Sequence, residues 1–198
     1  MDHADHMKSS VEVAVVAIRA ADPARFDEPT PCTEFTLGKV VNHLAFGLLL
    51  AEYAARKQEW DAGWDPNGVA PYLIGQPESE WARLAAEQGE RVARAWAEPA
   101  AWEGEAPFGG PSMPALAIGS MMTAEFVLHG WDVARGAGAP LADVSPGLAA
   151  AALEGVRAIA PMGRDGGWFG AEVPVDADAS TLDRALAESG RDPNWRAA

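Results

Sequence analysis

Apolar residues recur three and four apart over most of this 198-residue chain, the spacing of one buried face on an α-helix. Val11, Val15 and Ile18 mark a first helix over 4–21, which ends where Asp22 precedes Pro23, because the residue before a proline is driven out of the helical region. A second runs from Leu37 to about Lys57 behind Thr36, a good N-cap residue. Leu37, Val40, Val41, Leu44 and Leu48 form its main stripe, and Phe46 and Leu50 make the far side apolar too, the mark of a central, buried helix. On a third, 78–97, the stripe Trp81, Leu84, Ala85, Gln88, Val92, Ala95 and Trp96 reads as core packing. A fourth starts after Ser112 and Pro114 and stops at the Gly136 to Pro140 stretch. A fifth, Gly147 to Ala160, follows Ser145-Pro146, and Ser180-Thr181-Leu182-Asp183 opens a last short one with a pattern like a capping box. Four long amphipathic runs joined by loops predict an all-α fold, a four-helix bundle. The whole chain, 1–198, reads as one domain, with the bundle over about 4–160 and an irregular C-terminal extension over 161–198.

Between the helices lie two long connections, 58–77 and 98–111, rich in glycine, proline and aromatic residues. Loops of that length are either functional or packed down by their own side chains, and Trp60, Trp64 and Tyr72 suit both. Gly109-Gly110 lacks the Lys-Ser/Thr of a phosphate loop and follows no predicted strand. Residues 171–175 read as a short extended segment, too brief for a sheet.

The formal net charge of -14, with no basic stripe interleaved with aromatics, argues against nucleic acid as a partner. Cys32 is the only cysteine, so no internal disulfide can form, and a reducing cytoplasm is the expected setting. The first residues lack the basic and apolar regions of a signal peptide. The most apolar piece, Val40 to Ala55, carries Asn42, His43 and Glu52 and is too short and polar to span a bilayer. No membrane association is expected.

Candidate chemistry centres on Glu125 and His129. Four residues apart on a helix, they share one face, and the carboxylate and imidazole together suit zinc, nickel, iron or manganese. Met121, Met122, Phe126, Val127, Leu128 and Trp131 surround them, so an unpaired charge there would be costly. A Glu–His hydrogen bond in a helical core meets that need as well as an ion does. Asp132 falls on the same face; it orients a ligand imidazole, takes part in proton transfer, or is instead a helix-surface carboxylate or one pairing with Arg135. His43, on the apolar second helix, reads alone as a core histidine that needs a partner for each ring nitrogen, with Gly47 one turn on leaving room for a close approach. Joined to Glu125 and His129, it completes three protein ligands with a position left open, the pattern of a catalytic rather than a structural metal site. His3 and His6 fall at a terminus expected to fray, and Cys32, just before the second helix, reads as a small buried hydrophobe more readily than as a redox-sensitive or metal-proximal thiol.

Pro29-Thr30-Pro31-Cys32-Thr33-Glu34-Phe35-Thr36, then Val41-Asn42-His43-Leu44, then Glu125 through Arg135, and the closing Gly190-Arg191-Asp192-Pro193 resemble the signature segments of actinobacterial DinB-like metal-binding proteins, and most of all the N-terminal domains of mycothiol-dependent maleylpyruvate isomerases. Phe35 stands where such proteins commonly carry tryptophan. The resemblance implies a DinB-like four-helix bundle and a divalent metal, zinc or nickel first, held by the residues matching His43, Glu125 and His129. It also implies a low-molecular-weight thiol such as mycothiol at the open position, attacking an electrophilic small molecule between the bundle mouth and the two long loops, in an S-transferase or isomerase reaction. Two other readings stay open: a metal- or ligand-binding protein without turnover, and a metal-free bundle with a buried polar network. The loop tryptophans suit a homodimer contact or a fold over the site.

Overall fold

The computed structural model describes residues 2–60, 63–64 and 72–197. Six α-helices form among them: α1 His3–Ala20, α2 Leu37–Ala55, α3 Trp81–Trp96, α4 Ala115–Ala137, α5 Pro146–Asp165 and α6 Thr181–Glu188. The expected all-α four-helix bundle is present as α1 to α4. Helices α1 and α2 each pack on both α3 and α4 while barely touching one another, which sets them on opposite corners. Helix α5 lies on the outer side of α4, and α6 lies on α5.

Helix α4 is central because its sequence is apolar on every side. Ile118, Met122, Phe126, Val127, Leu128, Trp131 and Val133 are all buried, facing α1, α2 and α5. Small residues set how closely its neighbours approach. A Cβ on Gly130 would stand 2.8 Å from Val13 Cγ1 of α1, and one on Gly155 of α5 would stand 2.7 Å from the Ser120 carbonyl oxygen and 2.9 Å from Ala124 Cβ. Gly155→Ala therefore forces α5 off α4. Overpacking of this kind costs about 1–3 kcal/mol, only partly offset by alanine's better helix propensity. The melting temperature is expected to fall by roughly 2–6 °C in thermal unfolding, and an unchanged value would mean that the α4–α5 contact is looser than these distances.

Several helix ends differ from the sequence expectation for local reasons. The first helix is capped at its start: Asp2 forms a full capping box with Asp5, and the ring of His3 lies 5.4 Å from that of Trp102. Thr36 is the N-cap of α2, but its hydroxyl makes no cap bond; the amides of Leu37 and Gly38 donate instead to the Glu28 and Phe26 carbonyls of the preceding loop. A 3-10 turn over Glu78–Glu80 delays α3 to Trp81. Helix α5 continues through Pro161 to Asp165 rather than stopping at Ala160. Two short antiparallel strands, β1 Glu105–Ala106 and β2 Met113–Pro114, lie within and just beyond the second long loop. Residues 171–175 are extended without forming a strand, with the Val173 amide donating to the Ala187 carbonyl. Much of the 58–77 connection lies outside the described residues; of its aromatics, Trp60, Trp64 and Tyr72 are described and pack against Phe46 and Leu50 of α2. No helix of the described residues is long and apolar enough to cross a membrane.

Candidate metal centre

The side chains of His43, Glu125 and His129 meet where α2 faces α4. Glu125 Oε1 lies 3.0 Å from His43 Nε2 and 3.5 Å from His129 Nε2. The two imidazoles meet edge to face with centroids 4.9 Å apart, and Phe35 packs on His43 at 5.2 Å. One donor atom from each of the three residues lies within 4.8 Å of the others. The side chains of His43, Glu125 and His129 are 19%, 28% and 11% exposed, so the cluster is recessed but reachable from solvent. Gly47 faces Met122, Phe126 and Glu125 at ordinary van der Waals distance; what approaches its backbone is α4 itself.

Both partners of the helix pair are held by the packing of α4, and Asp132 extends their face by one more turn. Its carboxylate is fully buried, with Oδ2 2.9 Å from His129 Nδ1. The alternative of a surface carboxylate pairing with Arg135 is thereby overturned: Asp132 pairs with Arg191, while the Arg135 guanidinium lies over the Trp131 ring, 5.5 Å from its centroid. Arg191 Nε donates to both Asp132 oxygens at 2.9 and 3.0 Å, and its Nη2 donates to Oδ2 at 2.8 Å. Burial alone would raise the Asp132 carboxyl, but Arg191 and His129 outweigh it and hold it below the usual carboxylate range. Glu125 shows the same balance: burial works to raise it, and His129, His43 and Arg191 bring it down to about 2. Both carboxylates are thus ionised at neutral pH.

Cys32 lies half-buried on the other side of His129, its sulfur within 4.8 Å of a His129 nitrogen and an Asp132 oxygen. Burial first, then the Asp132 charge, pushes the thiol up to about 12 against the opposing effect of Arg191. A protonated thiol is a poor nucleophile. His3 and His6 stand on α1 and are not part of either metal-capable group among the described residues.

Arg191 is the residue whose role sequence reasoning did not reach. The available signal was indirect: an aspartate in an otherwise apolar helix requires a cation from somewhere, and Arg135, the one guanidinium on α4, lies over Trp131 instead.

The donor set suits a divalent ion. Ligands about 2.1 Å from a tetrahedral ion lie roughly 3.4 Å from one another, close to the 3.0 and 3.5 Å separations around Glu125 Oε1. A carboxylate oxygen and two imidazole nitrogens are also the hard and borderline donors that such an ion takes.

Helical bundle and cross-helix histidine–glutamate–histidine cluster together define a class of proteins whose polar site is built between facing helices of the core. The chain belongs to the mycothiol maleylpyruvate isomerase N-terminal domain family, whose profile matches residues 12–134, from within α1 almost to the end of α4. All three cluster residues and Asp132 fall inside that match; Arg191 falls outside it. In fold the chain is similar to the crystal structure of the mycothiol-dependent maleylpyruvate isomerase, with a TM-score of 0.61 and 19% identity over 90% of this chain and 76% of that one. A histidine-to-alanine mutant of the isomerase aligns with a TM-score of 0.57 and 20% identity over the same shares. No curated protein sequence matches the chain.

Proposed function

We propose that this chain, acting as one domain, is a metal-dependent enzyme that uses a low-molecular-weight thiol of the mycothiol type in S-transfer or isomerisation of an electrophilic small molecule. The observation that carries this reading is the convergence of His43, Glu125 and His129 from two helices onto one point, partly open to solvent, in an otherwise apolar bundle.

His43 Nε2, Glu125 Oε1 and His129 Nε2 would hold the ion; the donors suit zinc, nickel, iron or manganese, and the family resemblance favours zinc or nickel. When bound, the ion lowers the pKa of a thiol brought to the open position, so that a sulfur nucleophile exists at neutral pH. The protein's own groups do the rest. Phe35 packs on His43 and limits its ring to a narrow range of orientations. Phe46, one turn from His43, is buried against Trp64, whose half-buried ring 5.8 Å away offers an apolar surface against which an electrophile can lie. Asp132 has both oxygens engaged by Arg191 and one also facing His129, which suits orientation of the imidazole rather than uptake of a proton from substrate.

Elemental analysis of protein purified without an affinity tag tests the first step. One divalent ion per chain is expected, lost in both His43→Ala and His129→Ala, followed by ion-dependent conjugation of thiols to model electrophiles. Absence of metal in the wild type, even after reconstitution with zinc and nickel, would leave a helical binding module with a polar cluster in its core and end the catalytic reading.

A further inference from the structure

The segment after α6 brings a side chain to the cluster from 59 residues beyond Asp132. Helix α6 lies mainly on α5, with Leu186 in one buried cluster with Leu128 and Trp131 of α4, and the chain turns after it to bring Arg191 inward. It does so at Gly190, whose φ of +89° favours glycine and whose Cα face lies against Gly170, where a Cβ would stand 2.7 Å from the Gly170 backbone. The Arg191 amide then donates to the Leu186 carbonyl at 2.9 Å, fixing the turn to the end of α6. Beyond this turn the Arg191 guanidinium is buried, 7% exposed, with Asp132 on one side and the Ser189 hydroxyl 2.9 Å from Nη1 on the other.

This arrangement has a consequence for His129. Its Nδ1 has two neighbours: Asp132 Oδ2 at 2.9 Å and Arg191 Nη2 at 3.4 Å. The shorter contact is to an acceptor, so Nδ1 carries the proton and gives it to Asp132, which leaves the lone pair on Nε2, the atom facing Glu125 and His43. Asp132 can hold that proton in a constant direction only if its own carboxylate plane is fixed, and two N–H groups of one planar guanidinium, Nε shared between both oxygens and Nη2 on Oδ2, fix it.

We infer that Arg191 is a positioning residue of the His43–Glu125–His129 centre: it clamps the Asp132 carboxylate, which selects the His129 tautomer and aims Nε2 at the ligand point, so that the folded tail tunes metal affinity. The inference rests on the reading of the cluster as a metal centre, yet part of it is measurable without metal. It also carries a sign that separates it from plain electrostatics. A guanidinium 3.4 Å from a ligand ring repels a dication, so a purely electrostatic Arg191 would weaken metal binding and its removal would tighten it. A positioning Arg191 does the reverse, as outer partners of metal ligands generally do when removed.

The experiment uses the full chain with Arg191→Met and Arg191→Lys, the second keeping the charge while losing the planar fork. Cobalt(II) is the probe, its affinity read by competition with a chelator and its ligand geometry by the visible absorption bands. Both variants are expected to bind cobalt(II) about 10–100-fold more weakly with altered bands, and Asp132→Asn combined with Arg191→Met is expected to be no worse than the poorer single variant. Arginine variants that bind as tightly as wild type, or a Met variant that binds more tightly while the Lys variant is unchanged, would overturn the inference. In metal-free protein the same substitutions are expected to remove the slowly exchanging His129 Nδ1 proton from the NMR spectrum; its persistence would equally overturn it. Should wild type bind no cobalt(II), the metal reading fails and the NMR result alone decides whether Arg191 positions His129. Where Arg191→Met does not fold, the Lys variant carries the test.

Discussion

Asp132→Ala is expected to lower the stability of the metal-free protein by about 3–5 kcal/mol, a fall of roughly 6–20 °C in melting temperature for a chain of this size. The reason is the state of Arg191 once its partner is gone. Only 7% of it is exposed, and its other side-chain neighbours, the Ser189 hydroxyl and the His129 ring, are not carboxylates, so a guanidinium that was neutralised by a fully buried carboxylate loses its counter-charge. The companion variant separates charge from packing. Asp132→Leu combined with Arg191→Met replaces the ion pair by apolar groups and is expected to regain most of the loss, because a buried pair earns little over a well-packed apolar substitute. The pH dependence has a definite sign. The Asp132 carboxyl is depressed in the folded state relative to its ordinary value of 3.8, so its contribution is fully present above about pH 4 and shrinks as pH falls below that. The gap between wild type and Asp132→Ala in denaturant titrations should therefore be wide at pH 7 and narrow toward pH 3. A single variant that melts within about 2 °C of wild type at pH 7 would mean that Arg191 swings out to solvent at little cost and does not need Asp132.

The same pair shows where sequence reasoning reaches and where it stops. The burial of α2 and α4 was legible because Phe46 and Leu50 fill the far side of one stripe and Phe126, Val127 and Leu128 leave no polar side on the other. Glu125 and His129 were legible as a pair because helix geometry alone puts positions four apart together. That His43 faces them depends on the packing of α2 against α4, which periodicity does not encode; the family resemblance supplied it. Arg191 depends on the path of a tail whose turn rests on two glycines in contact, Gly170 and Gly190, and no local pattern announces such a contact. The strands β1 and β2 are two residues each, too short to leave a period in the sequence. Thr36 marks the right residue for the start of α2 for a partly different reason: a good cap residue sits there, yet the preceding loop's carbonyls take the amides.

Glu125→Leu is expected to move metal affinity and metal-free stability by very different amounts, and in different directions. Without the carboxylate, only two imidazoles with centroids 4.9 Å apart remain, and the affinity for zinc or cobalt(II) should drop by more than the 10–100-fold typical of losing an outer partner, on the order of 10³-fold. Stability of the metal-free protein should stay within about 1 kcal/mol of wild type or rise. Glu125 is held ionised against the cost of burial by His129, His43 and Arg191, and an apolar side chain on a helix flanked by Met122 and Phe126 removes that cost while leaving the two imidazoles partly hydrated. Polar groups kept in an apolar core at the expense of stability are the usual sign of a site retained for function. Chemical denaturation with and without chelator measures one side, and metal competition measures the other. A metal-free Glu125→Leu that unfolds several kcal/mol more easily than wild type would make the carboxylate a structural tie between α2 and α4, and the hydrogen-bonded network, rather than an ion, would then account for the cluster.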